Sequence, residues 1–187
     1  MNQVIILSGP PGAGKTSVAT AICERFDRMI HIRVEQIRQW VCAGYRRSSA
    51  NDPQALEQFS LARRNASVIA RESLLARYAV VIDDVVFGSD FVEYRKVLND
   101  VDSIVQGVTL LPTLDIVRER NARRSEIVDL SLADDLYAQF MAQAAAGELP
   151  GAILDSSEDV DVYVTADRVQ ELVACGEALL MHTEGGN

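Results

Sequence analysis

Residues Gly9, Pro10, Pro11, Gly12, Ala13, Gly14, Lys15 and Thr16 match the pattern GxxxxGK[ST] at every specified position. Those residue types in that order suit the holding of phosphate oxygens. Glycines at 9, 12 and 14 let the backbone turn tightly and let its amides, including that of Ala13, approach an anion without an obstructing side chain. Lys15 has the length to reach the β and γ phosphates of a nucleoside triphosphate. The Thr16 hydroxyl suits a magnesium ion bridging those phosphates, and Ser17 adds a further phosphate contact.

Such a cradle needs a second acidic element, because the magnesium is usually also held by a carboxylate at the end of a neighbouring strand. Residues 80–83, Val-Val-Ile-Asp, supply one. Asp83 directly ends the apolar run and is expected to be the metal ligand. Asp84 follows at once, and either acid has the alternative of capping the next turn.

The surrounding pattern shows what must position these groups. Residues 4–8 form a short β-branched and apolar run cut off by Gly9 and two prolines, as expected of a buried parallel strand. Val18, Ile22 and Phe26 then recur at four-residue intervals, predicting a helix over 15–26 with one buried stripe. The phosphate pattern thus sits between a strand and the start of a helix, where the positive helix end favours anions.

Further along, 30–34 predicts a second strand and 35–44 a short helix carrying Ile37 and Trp40. Asp52 before Pro53 predicts a helix start, and a long helix to about Arg77 with Leu56, Phe59, Ala66, Ile69, Ala70 and Leu74 on its buried side. Residues 79–82 predict a third strand, 91–98 a helix, 104–111 a fourth strand and 113–123 another helix. A helix over 132–146, a short strand over 152–154 and a final helix over 165–181 complete the chain. Strands alternating with helices predict a single α/β domain, residues 1–187, with a parallel sheet between helical layers.

Composition narrows the functional classes. With 187 residues, 48% hydrophobic and 24% charged, the chain has the balance of a folded globular domain rather than a disordered one. Asp and Glu outnumber Lys and Arg 27 to 18, so a net charge of -9 disfavours nucleic acid as a partner. Apolar runs fall short of the roughly 18 to 20 residues that span a bilayer, and no secretory signal is evident, so a cytoplasmic location is expected. Cys23, Cys42 and Cys175 lack CxxC spacing and read as small buried apolar residues, and two histidines argue against a histidine-based metal site.

With the loop 9–16, the Glu35-Gln36-Ile37-Arg38 segment, the Ile82-Asp83-Asp84 strand end and residues 114–124 in view, the chain resembles a family. That family is the small P-loop kinases related to chloramphenicol phosphotransferase, gluconate kinase and polynucleotide 5′-kinases. The resemblance covers roughly residues 3–175. It implies a three-layer P-loop NTPase fold with a five-stranded parallel sheet in the order 2-3-1-4-5 and a small lid around 121–134. It also implies magnesium-dependent transfer of the ATP γ-phosphate to a hydroxyl.

By the same resemblance, an acid after strand two accepts or orients the acceptor hydroxyl, which falls on Glu35 where relatives often carry Asp. Arg38, one helical turn on, and Asp84 would line the acceptor side. Among Arg118, Arg120, Arg123 and Arg124, the resemblance assigns Arg120 to the adenine face and Arg124 to a catalytic clamp in the lid; Arg123 is the substitute if the helix ends early. Residues 155–157 would close over the base.

The acceptor stays open at this level. A small neutral or cationic molecule suits the acidic chain. Arg46, Arg47, Arg63 and Arg64 form a potential basic patch, which keeps a polynucleotide 5′-hydroxyl as an alternative. A nucleotide-binding regulator or slow ATPase is the third reading, in which Glu35 stands where no acceptor is phosphorylated.

Overall fold

A computed structural model describes residues 2–49, 52–123 and 130–183. The first strand, β1 (Gln3–Ser8), lies in the middle of the sheet, and its alternating side chains enter two different cores. Val4 and Ile6 point to one layer, Ile5 and Leu7 to the other, and all four are essentially free of solvent. A strand covered on both faces must be apolar throughout, which is why this one is a continuous run.

The other parallel strands are β2 (Met29–Arg33), β3 (Ala79–Asp83), β4 (Ser103–Leu110) and β5 (Ala152–Leu154). Their spatial order is β2-β3-β1-β4-β5, as the family resemblance implies. The register sets Ile6 beside Ile82 and Leu7 beside Asp83. It also sets Arg33 beside Asp83, so the strands that carry the candidate residues end at the same level.

Helices α1 (Lys15–Cys23) and α7 (Val162–Cys175) cover one face through Val18, Ile22, Ala166 and Val169. The other face is covered by α2 (Val34–Arg38), α3 (Pro53–Leu75) and α4 (Phe91–Leu98). Asp52 caps α3 as its sequence predicts, its carboxylate accepting the Gln54 amide at 2.9 Å. The buried side of α3 includes Ala55, Ala62, Arg63, Ala66, Ser67, Ala70, Ser73 and Leu74, while Leu56 is 51% exposed, contrary to the expected stripe.

Helix α5 (Leu114–Ala122) and helix α6 (Leu130–Ala146) follow β4, and Phe140 of α6 packs against Phe87 with ring centroids 4.5 Å apart. A small core of Leu111, Phe140 and Leu149 sits beneath them.

Three further expectations are corrected: Cys42 and Cys175 are exposed rather than buried, and two helices end elsewhere. The helix after β2 ends at Arg38 rather than near Gly44, leaving Trp40 63% exposed. The final helix stops at Cys175, where Gly176 takes a left-handed φ of 87°, the usual end for a helix. Residues Leu179–Thr183 then form β6, antiparallel to β4 with Ser103 opposite Thr183. The two short strands divide one edge of β4, β5 taking Val108 to Leu110 and β6 taking Ser103 to Gln106. Among the described residues, no helix is long and apolar enough to cross a membrane.

Candidate active site

The turn between β1 and α1 is built by close approaches that exclude side chains. At Gly12, φ is 92° and a Cβ would lie 2.7 Å from the Val117 carbonyl and 2.8 Å from Asn121 Nδ2. At Gly9, a Cβ would lie 2.2 Å from the Leu110 carbonyl. Gly14 caps α1, so the open amides of the first helical turn face the concave side of the loop. Ala13 has its own amide bonded to Pro10 O at 3.1 Å and its side chain in the core, so it shapes the cradle from beneath.

Lys15 is 9% exposed and lies back across the loop, its Nζ donating to Gly9 O at 2.8 Å and Pro10 O at 3.1 Å. Thr16 donates its hydroxyl to Asp83 Oδ2 at 2.5 Å, which joins the start of α1 to the end of β3. Ser17 is exposed at the mouth. From there a groove of about 280 Å³ runs between α1 and α7, bordered by Thr16, Ser17, Glu24 and Tyr163.

Asp83 is nearly enclosed at 7% exposure. Burial alone would raise its pKa; the His31 imidazole, the Lys15 ammonium and the Thr16 hydroxyl outweigh that effect and hold it below the ordinary carboxylate value. It is therefore an anion at neutral pH. A hydroxyl and a carboxylate converging beside this glycine-rich turn are hard oxygen donors of the kind that could hold magnesium. Among the described residues no cluster of three or more His, Cys, Asp or Glu is placed to hold a metal ion.

The adjacent acid does something else. Asp84 lies against α3 and α4: its Oδ2 accepts from Arg63 Nε and from the Tyr94 hydroxyl, both at 2.8 Å, and its Oδ1 accepts the Val85 amide at 2.7 Å. Arg63 also reaches Asp90 at 2.6 Å and Val85 O at 2.8 Å. Burial presses the Arg63 pKa down, and the Asp84 and Asp90 carboxylates more than reverse that. The expected acceptor role of Asp84 is thus replaced by a place in an internal ion-pair cluster. The expected basic patch loses Arg63 for the same reason.

Glu35 stands at the start of α2, two residues past the strand position beside Asp83, and its side chain is 48% exposed. Its two oxygens accept from Arg38 Nε at 2.9 Å and Nη2 at 2.7 Å. Arg38 is not on the surface: it is 2% exposed, it donates to Arg46 O, the Tyr45 hydroxyl and Ser48 Oγ, and it lies between the rings of Tyr45 and Phe59. It binds the 45–48 segment down over α2 and leaves Glu35 as the accessible member of the pair.

Of the arginines near the end of α5, Arg120 reaches the cradle, donating to Ala13 O at 3.1 Å. Arg118 pairs with Asp134 at 2.7 Å and Arg123 with Glu119 at 2.5 Å. Arg124 and residues 125–129 of the expected lid lie outside the described residues. In the turn after β5, Ser157 Oγ accepts the Thr113 amide at 2.7 Å and Asp155 O accepts from Arg168 at 2.9 Å.

Sequence reasoning missed two residues. Asn121, 5% exposed, donates to Pro11 O at 2.9 Å and braces the loop beside Gly12. No sequence signal marks it. His31 faces Asp83 from β2 with Nε2 3.8 Å from Oδ2. Its signal was its placement on the second strand, two positions before the level of Asp83.

A strand, a glycine-rich turn, a helix and an acid on the neighbouring strand define a P-loop protein. Residues 4–150 match the family model described as an AAA domain, and the chain belongs to that family. No curated protein sequence matches it. Among solved structures, it is similar to the Deinococcus radiodurans tunicamycin resistance protein, with 18% identity, TM-score 0.64, and coverage of 97% of this chain and 99% of that one. It is also similar to Mycobacterium tuberculosis APS kinase in complex with AMPPNP and APS, with 17% identity, TM-score 0.60, and coverage of 92% and 98%. Acinetobacter baumannii shikimate kinase in complex with shikimate aligns with 17% identity, TM-score 0.57, and coverage of 95% of each chain. The shared fold is that of the small P-loop kinases.

Proposed function

We propose that this chain is an ATP-dependent phosphotransferase that moves the γ-phosphate to a hydroxyl of a small neutral or cationic acceptor. The observation that carries this reading is the convergence of Lys15, Thr16 and Asp83 on one glycine-rich turn. Kinship of fold with shikimate kinase and APS kinase supports it.

In this reading the triphosphate lies on the main-chain amides left open by the 9–16 turn and the first turn of α1, and Lys15 exchanges its carbonyl partners for phosphate oxygens. Thr16 and Asp83 would hold magnesium, which would neutralise phosphate charge. The acceptor oxygen forms a bond to the γ-phosphorus while the bond to the β,γ-bridging oxygen breaks and ADP leaves. The acceptor proton passes to the Glu35 carboxylate, which is exposed enough to receive it. Arg120 lies against the loop, where its guanidinium adds positive charge beside the phosphates. Substrate access from the Glu35 side fits a net charge of -9 and an Arg63 already neutralised in the interior, both of which weigh against a polynucleotide acceptor.

One observation favours a nucleotide-binding regulator or slow ATPase instead: Arg38 donates to both Glu35 oxygens, so the carboxylate is already engaged within the protein. ADP formation with a panel of aminoglycoside-like, phenylpropanoid, sugar, nucleoside and 5′-hydroxyl oligonucleotide acceptors separates the readings. Stimulation by a small hydroxyl compound is expected. An unstimulated basal rate with every acceptor would overturn the kinase.

A further inference from the structure

His31 occupies β2 with its side chain on the α1 side of the sheet, the side that also holds Asp83. Its Nε2 is covered by protein and has no hydrogen-bond partner among the described residues. Leaving a buried ring nitrogen unpaired costs about 1–3 kcal/mol, so the position needs an explanation. The charged group nearby is Asp83, whose Oδ2 lies 3.8 Å away. A contraction of about 0.6 Å would make that contact a hydrogen bond.

The tautomer follows from the same contact. A ring nitrogen turned toward a carboxylate oxygen must carry its proton, because otherwise two lone pairs would oppose each other.

We infer that His31 is a positioning residue of the phosphate site, its Nε2–H orienting the Asp83 carboxylate for a divalent metal bound together with nucleotide. This rests on the proposed reading of Thr16 and Asp83 as the metal-holding pair. His31 touches neither nucleotide nor acceptor, and it acts through Asp83 alone. Its effect is therefore confined to metal affinity and does not extend to the phosphate cradle.

The test is Mn²⁺ titration of the intact chain loaded with a non-hydrolysable ATP analogue, followed by electron paramagnetic resonance, beside calorimetry of the same analogue without divalent metal. His31→Leu removes the donor, His31→Asn withdraws it from Asp83, and His31→Gln restores a donor at similar reach. Expected is Mn²⁺ binding about 10- to 100-fold weaker in H31L and H31N, largely recovered in H31Q, with metal-free affinity unchanged in all three. Wild-type Mn²⁺ affinity in H31L or, should that variant not fold, in H31N overturns the inference. A parallel loss of metal-free affinity overturns it too, by making the role structural. Absence of metal-dependent nucleotide binding in the wild-type chain would instead overturn the kinase reading, and this inference with it.

Discussion

Thr16 and Asp83, 67 positions apart in sequence, share a hydrogen bond of 2.5 Å between the first turn of α1 and the last residue of β3. The parallel pairing of β1 with β3 produces it: Leu7 sits beside Asp83, and the chain leaving β1 turns back over that same level. Asp83→Asn keeps the shape and removes the charge. Turnover should fall by at least 100-fold with little change in metal-free nucleotide affinity, as measured by kinetics and calorimetry.

Acid should also expose the role of Asp83. Its pKa is lowered in the fold, so its contribution to stability is complete above the unfolded value of about 3.9 and is lost as pH falls through the folded value. Stability of the wild-type chain should drop toward that of Asp83→Asn below about pH 4, measured by urea unfolding across pH. Curves that stay parallel through that range would contradict the assignment.

Asp84 should behave quite differently from its neighbour. It belongs to the buried cluster with Arg63, Asp90 and Tyr94, and removing one partner of such a cluster costs about 3–5 kcal/mol. Arg63→Met or Asp84→Ala should therefore lower the unfolding midpoint strongly. Asp83→Asn at neutral pH should lower it far less.

Gly12→Ala combines a left-handed φ of 92° with a clash at the Val117 carbonyl. Destabilisation of about 1–3 kcal/mol is expected. At roughly 2–4 °C per kcal/mol for a chain this size, differential scanning would detect it. Asn121→Ala removes the brace on Pro11 and should raise the KM for ATP more than it lowers the melting temperature.

What was legible in the sequence was local. The cradle is eight consecutive residues, and the apolar runs of β1 and β3 identify themselves because strands buried on both faces have no polar alternation. The strand order came from resemblance to known kinases, since adjacent strands here are far apart in the chain. Asp83 and Asp84 could not be told apart by type. The pleat sends neighbours to opposite faces, one toward α1 and the other toward α3.

Other features depend on distant partners. The burial of Arg38 could not be read from the sequence because the 45–48 segment that covers it has no apolar pattern. Leu180 and Met181 continued the apolar spacing of α7, and their assignment to β6 is decided by pairing with β4, some 75 residues earlier. Asn121 became visible when α5 was seen against Gly12.

The most direct test of the central claim, that residues 9–16 hold the phosphates of ATP through main-chain amides and Lys15, is calorimetry of ATP with magnesium on the wild-type chain and on Lys15→Ala. The account predicts one saturable site in the wild type. At a hundredfold excess over Kd it also predicts a stabilisation of about 2.7 kcal/mol, visible as a raised melting temperature, and neither effect in the variant. No heat and no melting shift at millimolar ATP in the wild type, or equal binding by Lys15→Ala, would contradict it.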